Sequence, residues 1–249
     1  MYGDFGVPPL ETVFIHIGFH KCGSTAIQWG LAALSEQLQN ESIFFPSGDH
    51  ARIGSFFAES REDFFYNEAH GRTDRSLAAR EDQSYMDQLG VDLSASRCQT
   101  LVLSYEGFPN LSDREVGRLV DAFSTKAKRV VVVAYCRHPL SFAPSEISQR
   151  ARSGVSTDVI CSEPPLLSFK TSLPKFVKAV GVENFIAREF DERRLRDGDV
   201  LRDFLSLLPG CEIIASEAQR FRPESTRSLS SEAVLIARAL KVLWNPNLP

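Results

Sequence analysis

The sequence predicts an α/β protein in which a mainly parallel central sheet is flanked by helices in three layers. Three observations predict it. Short apolar, β-branched runs alternate with stretches of helical periodicity along the chain. One of those runs, RVVVVAYCRHP at 129–139, is continuously apolar through its middle, as a parallel strand buried on both faces requires. A glycine turn separates the first strand from the first helix.

Taken in order, TVFIHIG at 12–18 reads as a buried strand ending at glycine. From Ser24, STAIQWGLAALSEQL sets Ile27, Leu31, Leu34 and Leu38 at helical spacing, with hydroxyl residues at its start to cap it. IFFP at 43–46 is a second strand stopped by proline. The polar stretch at 47–95, with isolated apolar patches in FFAES and DFFYNE, reads as helices and loops inserted near the site. TLVLSYEGF at 100–108 is a further strand, followed by helical DREVGRLVDAFSTK. After the central strand, SFAPSEISQRARSG reads as a helix with Pro144 near its first turn, where a missing N–H costs little. KTSLPKFVKAVG is a helix closed by Gly181, and FIAREF is a short strand. LRDGDVLRDFLSLLPG and the serine-capped SLSSEAVLIARALKVLW are the last two helices. We read residues 1–249 as one domain with a substrate-site insertion at about 47–95.

Composition narrows the function. With 28 basic and 32 acidic residues, the chain carries no field that would gather nucleic acid or an anionic membrane. No apolar run approaches the ~20 residues of a membrane helix, and the start MYGDFGVPPLE lacks a basic region followed by an apolar stretch. Five cysteines form no C-x-x-C pair, which fits free thiols in a reducing compartment. The expectation is a soluble, cytoplasmic protein that binds anions only at a local site.

That site is the loop GFHKCGST at 18–25. Between a strand and a helix, successive backbone N–H groups and the positive helix end converge on one point, where a phosphate is held. The fold is therefore P-loop-like. Against the kinase pattern G-x-x-x-x-G-K-[ST], Gly18, Gly23 and Thr25 keep register, whereas Ser24 takes the lysine slot and the lysine stands at Lys21. The strand at 129–139 ends in Cys136 and Arg137, with no acid there to seat magnesium.

IGFHKCGSTAIQ resembles the 5′-phosphosulfate loop of sulfotransferases that use 3′-phosphoadenosine 5′-phosphosulfate, whose usual form is a lysine two residues before G-[ST]-[ST]. The resemblance implies that Lys21 bonds the bridging oxygen and the 5′-phosphate, with Cys22, Gly23, Ser24, Thr25 and, further on, Ala26 holding the rest. The family also carries R-x-P followed by a serine eight residues after the arginine, the two gripping the 3′-phosphate. Here these are Arg137, Pro139 and Ser145. Arginine offers a rigid fork of donors and serine a hydroxyl, a suitable pair for a dianion. FDERRLRDGDVLRDFL and TRSLSSEAVLIARAL are similar to segments of bacterial sulfotransferases, while 47–95 matches none of the family's segments. The R-K-G tripeptide of many eukaryotic members is absent near 220–228, so Arg222 and Arg227 stand either as 3′-phosphate contacts or as solvated side chains.

Sulfuryl transfer needs positive charge on the leaving phosphate and a base beside the acceptor. Lys21 supplies the charge. For the base, Glu106 at the end of LVLSYE is the first candidate and His20 the second. His16 lies inside its strand and reads as a core residue. Ser104, Tyr105 and the aromatics from Phe56 to Tyr66 either shape an acceptor pocket or pack the core. The expected partner is a small-molecule or glycan acceptor offering a hydroxyl or amine. Rival readings are a P-loop nucleotide or small-molecule kinase and a non-catalytic nucleotide-binding protein.

Overall fold

A computed structural model describes residues 6–61, 64–152, 155, 159, 162 and 169–218. The chain divides into two compact units, one of residues 1–136 and 169–221 and the other of residues 137–168 and 222–249.

The larger unit is built on a five-stranded, wholly parallel sheet. Its strands are β1 (Leu10–Ile17), β2 (Ile43–Phe44), β3 (Thr100–Tyr105), β4 (Ala127–Cys136) and β5 (Phe185–Glu189), in the order β2-β3-β1-β4-β5. Each strand identified in the sequence is present. β1 lies in the middle, with His16 opposite Ser104 on β3 and Val13 opposite Val130 on β4. Val13, Ile15 and Val132 are all fully buried, as central parallel strands require. Because the chain leaves β3 and crosses to β4 on the other side of β1, the carboxyl end of β1 is where the strand order reverses. Open α/β sheets bind ligands at such a point.

Helices flank the sheet: α1 (Ser24–Ala33), α2 (Ser35–Asn40), α3 (Ala51–Phe57), α4 (Phe65–Ala69), α5 (Arg75–Ser96) and α6 (Asp113–Ser124) precede β4. α6 shows the expected amphipathic pattern and opens on a capping box, Ser112 with Glu115, each side chain bonding the other's backbone N–H. The 47–95 stretch is mostly helix. α5 buries Ala78, Asp82, Met86, Leu89 and Leu93, a stripe at helical spacing interrupted by one acid. That acid is satisfied: Ser55 Oγ donates to Asp82 Oδ2 at 2.5 Å and Arg72 Nη2 donates to Oδ1 at 2.8 Å. A buried charge is tolerable only when paired in this way.

Three sequence expectations are corrected. The first helix divides at Leu34 into α1 and α2, and its N-cap is Gly23 in a left-handed conformation rather than a hydroxyl residue. The segment 195–210 is not one helix. Asp197 and Gly198 take positive φ, Asp199 caps a new start through Leu201 and Arg202 N–H, and only α9 (Val200–Leu205) is α-helical. A further short helix, α10 (Glu212–Glu217), follows it. α8 (Phe169–Val180) ends before Gly181 at φ 81°, as expected.

In the smaller unit, α7 (Pro139–Arg152) starts earlier than the sequence suggests. Pro139 takes the favoured first position, and Pro144 falls inside the helix, where its missing N–H leaves one turn unpaired. The imidazole of His138 caps this start, its Nδ1 accepting from Leu140 N–H at 3.2 Å. The expected C-terminal helix lies outside the described residues. Among the described residues no helix is long and apolar enough to cross a membrane.

One buried polar knot joins β4 to β5 and α9. Tyr135 Oη donates to Asp203 Oδ2 at 2.8 Å, while Arg188 reaches both oxygens of Asp203 at 3.0 and 2.5 Å. Asp203 is fully buried. Tyr135→Phe is expected to lower stability by ~1.5–3 kcal/mol, because a bond to a charged acceptor is lost in the interior. A denaturant midpoint unchanged at constant slope would contradict this.

Candidate functional site

The loop from Gly18 to Gly23 is pinned from inside. Phe19 and Cys22 are buried, and Phe19 packs edge-on against Phe169 at 4.7 Å. Cys22 N–H donates to Phe19 carbonyl at 3.1 Å, closing a tight turn. With two apolar anchors directed inward, His20 is exposed and Lys21 half-buried. Lys21 takes φ 62°, a left-handed conformation that costs a non-glycine residue ~1–3 kcal/mol, as Ser42, Arg97 and Asp197 also do.

The end of the loop is an anion cradle. No side chain caps α1 and no acidic residue lies in its first turn, so its leading N–H groups and positive dipole end meet no opposing side chain of their own helix. Ser24 is 1% exposed, and its Oγ has no hydrogen-bond partner among the described residues. A buried hydroxyl left unpaired costs ~1–3 kcal/mol, which an anionic oxygen would offset. A phosphate therefore fits the groups present: uncapped amides, an orphaned hydroxyl and a nearby lysine.

Two glycines make the approach possible. A Cβ on Gly18 would stand 2.4 Å from Ser24 Oγ and 3.1 Å from Glu106 Cγ, so only glycine lets α1 and the end of β3 close on each other. At Gly23, φ 81° and a Cβ position 2.7 Å from Phe190 and 2.9 Å from Val200 exclude any side chain.

The two candidate bases prove to be neighbours. His20 Nδ1 lies 3.5 Å from Glu106 Oε2, with the side chains 55% and 33% exposed. Gly18 N–H donates to Tyr105 carbonyl at 3.3 Å, which carries the β1–β3 pairing to the edge of the site and sets Glu106 on the cradle's rim. No acid stands at the end of β4, but the sheet order places Glu106 just past the end of β3, which also flanks β1.

Beneath this rim is a polar cluster that sequence reasoning missed. His16 is core, as expected, and its Nδ1 lies 2.7 Å from Ser104 Oγ. Gln28 Nε2 donates to both the carbonyl and the Oγ of Ser104 at 3.2 Å. On the same strand residue, Ser104 N–H donates to His50 Nδ1 at 3.1 Å, and His50 Nε2 donates to Pro46 carbonyl at 3.0 Å. The reason is the shortness of β2, which pairs only with Thr100 and Leu101. Beyond that register the outer side of β3 has no strand to bond, and side chains take over. Only a signal of strand length could have indicated this.

At the other strand end, burial pushes the Cys136 thiol up to about 11, which keeps it protonated. Arg137 and Ser145 belong to the smaller unit. Arg137 Nε donates to Ser141 Oγ at 3.2 Å, and Ser145 is buried on α7. Thr25 is exposed and Ala26 half-buried in the first turn of α1. Arg222 and Arg227 lie outside the described residues.

Comparison with known proteins gives no family: no family model and no curated protein sequence matches the chain. Among solved structures it is similar to a sulfotransferase from Alicyclobacillus acidocaldarius, at 16% identity over 92% of each chain and a TM-score of 0.44. It is similar to the sulfotransferase domain of the Synechococcus PCC 7002 olefin synthase, at 14% identity over 98% of this chain and 97% of that one, with a TM-score of 0.46. A structure of the PezAT toxin–antitoxin system of Streptococcus pneumoniae matches at 12% identity over 96% of this chain and 90% of that one, with a TM-score of 0.40. Likenesses at these levels assign no chemistry.

Burial brings the His16 imidazole down to about 3 and lowers that of His50, against weaker upward effects of the Pro46 carbonyl and Asp49. The His16 ring is therefore neutral in the folded protein near pH 5 and above. Since the unfolded chain takes up this proton below about 6.5 and the folded chain does not until about 3, stability falls as pH drops through that interval. One such group accounts for about 2 kcal/mol between pH 7 and pH 5. His16→Gln is expected to shrink the loss of stability over that interval by about this amount, measured by denaturant midpoints at the two pH values. An identical loss in both proteins would show that His16 is not the buried titrating group.

Proposed function

We propose that this chain is a sulfotransferase that moves a sulfuryl group from 3′-phosphoadenosine 5′-phosphosulfate to a hydroxyl or amine of a carbohydrate, lipid or small metabolite. The observation that carries the reading is the juxtaposition of an anion cradle with a carboxylate–imidazole pair on its rim, both gathered at Gly18. When bound, the donor supplies a sulfuryl group on a phosphate leaving oxygen. The chain's own residues then have separable tasks. The N–H groups at the start of α1 and the hydroxyls of Ser24 and Thr25 hold the 5′-phosphate, and Lys21 places positive charge where the leaving oxygen gains negative charge. Glu106 takes the proton of the acceptor hydroxyl or amine, and His20 beside it holds the carboxylate in place. Arg137 and Ser145 take the 3′-phosphate, an assignment that rests on the R-x-P and serine spacing.

One observation favours a second reading. Glu106, at the end of a strand flanking β1, stands where a phosphoryl-transfer enzyme on this scaffold holds an acid for magnesium. Ser24 in the lysine slot weighs against it, although the hydroxyl in register for the metal, that of Thr25, is present.

Two tests separate the readings. By isothermal titration the protein is expected to bind adenosine 3′,5′-bisphosphate at least ~10-fold more tightly than AMP, since each lost charge-assisted bond costs ~1.5–3 kcal/mol. Arg137→Ala should erase that preference, and equal affinities in the wild type would remove the 3′-phosphate assignment. The second test is transfer from labelled donor to a panel of sugars, phenols, lipids and amines. Glu106→Gln is expected to slow it by ~100-fold with donor binding unchanged, and EDTA to leave the wild-type rate intact. Transfer abolished by EDTA and restored by magnesium would favour the kinase reading, and near-normal turnover in Glu106→Gln would pass the base role to His20.

A further inference from the structure

The aim of the cradle depends on how α1 is rotated about its own axis. Its buried face, Ile27, Gly30 and Leu31, sets that rotation coarsely, with Gly30 packed closely against Leu201. A hydrogen bond, being directional, refines it.

Among the described residues, the side-chain hydrogen bonds that tie α1 to the sheet come from Gln28. Gln28 follows Ser24 by four residues and so shares its face of the helix, one turn further on. Its amide orientation is unambiguous, because the Ser104 carbonyl can only accept and must face the NH2 group. Nε2 reaches the Ser104 carbonyl and the Ser104 Oγ, both at 3.2 Å. Ser104 Oγ accepts from Gln28 and lies 2.7 Å from His16 Nδ1, so a chain of polar contacts runs from α1 through β3 to β1. The backbone N–H of Ser104 donates to His50 Nδ1 at 3.1 Å. Ser104 stands two residues before Glu106, which follows the end of β3.

We propose that Gln28 is the positioning residue of the cradle: by gripping Ser104 it sets the aim of the first-turn N–H groups and of the Ser24 hydroxyl relative to Glu106. The inference rests on the reading of the loop as a 5′-phosphate site and adds the residue that orients it. The effect expected of Gln28 is confined to the phosphate held by α1, which distinguishes it from a residue that merely supports the fold.

The test compares two nucleotides by isothermal titration, adenosine 3′,5′-bisphosphate and adenosine 3′-monophosphate, the second lacking the group that meets α1. Gln28→Met keeps the length and burial of the side chain and removes both donors. It is expected to weaken the bisphosphate by about tenfold, as loss of aim on one charge-assisted contact would, and to leave the 3′-monophosphate unchanged. Ser104→Ala removes one of the two acceptors and is expected to give a smaller loss in the same direction. Unchanged bisphosphate binding in Gln28→Met, or equal losses for the two nucleotides, would overturn the inference. If Gln28→Met does not fold, the same comparison in Ser104→Ala decides. A wild-type protein that binds neither nucleotide overturns the donor reading and this inference with it. A wild type that binds both, with variants insensitive to the 5′-phosphate, overturns this inference alone.

Discussion

A buried backbone must bond somewhere, and in this protein that requirement is felt most sharply at Ser104. β2 stops after two residues, so the outer edge of β3 enters the interior without a strand beside it. Leaving both the N–H and the carbonyl of Ser104 unpaired would cost several kcal/mol. The chain satisfies them with His50 from the segment before α3 and Gln28 from α1. The same two bonds fix the entry of the 47–95 segment and the helix that opens the cradle on one strand residue, next to the strand end that carries Glu106. A gap in a sheet edge thus becomes the point at which the site is assembled.

The electrostatics of the site follow from what is missing as much as from what is present. α1 lacks a capping side chain and an acid in its first turn, whereas α6 has both in its capping box and α9 has its Asp199 cap. Stability alone would favour a cap at the start of α1 as well. Its place is taken by a glycine in the left-handed region, with a lysine two residues earlier that also has positive φ. Local cost of this kind persists where the surrounding packing over-determines the backbone, here through Phe19 and Cys22 held in the core. The result is a positive helix end, a hydroxyl without a partner among the described residues, and a carboxylate–imidazole pair within one small region.

Much of this was legible in the sequence. Apolar, β-branched runs marked β1 and β4, because a strand buried on both faces must be apolar through its middle, and shorter strand-like segments marked β2, β3 and β5. The order glycine turn, then helix, marked the anion site, because glycine spacing is dictated by close backbone approach. Helical periodicity marked α6, and Gly181 the end of α8. The helix at 195–210 was misjudged because periodicity counts side chains and does not register that Asp197 and Gly198 reverse the backbone before Asp199 starts a new turn. The same limit placed Pro144 in a first turn that Pro139 occupies.

What the sequence determined by itself is therefore local: which segments are strands, where the loop lies, and which side chains can bind an anion or take a proton. Sequence order alone did not pair His20 with Glu106, since 86 positions separate them and their meeting depends on β3, not β4, following β1 on that side of the sheet. It did not reveal Gln28, His50 or Ser104 as a cluster, because each is an ordinary polar residue until the shortness of β2 leaves a backbone edge to be satisfied. Local propensity is written residue by residue. The pairing of distant groups is decided by which strands share hydrogen bonds, and that is a property only of the folded sheet.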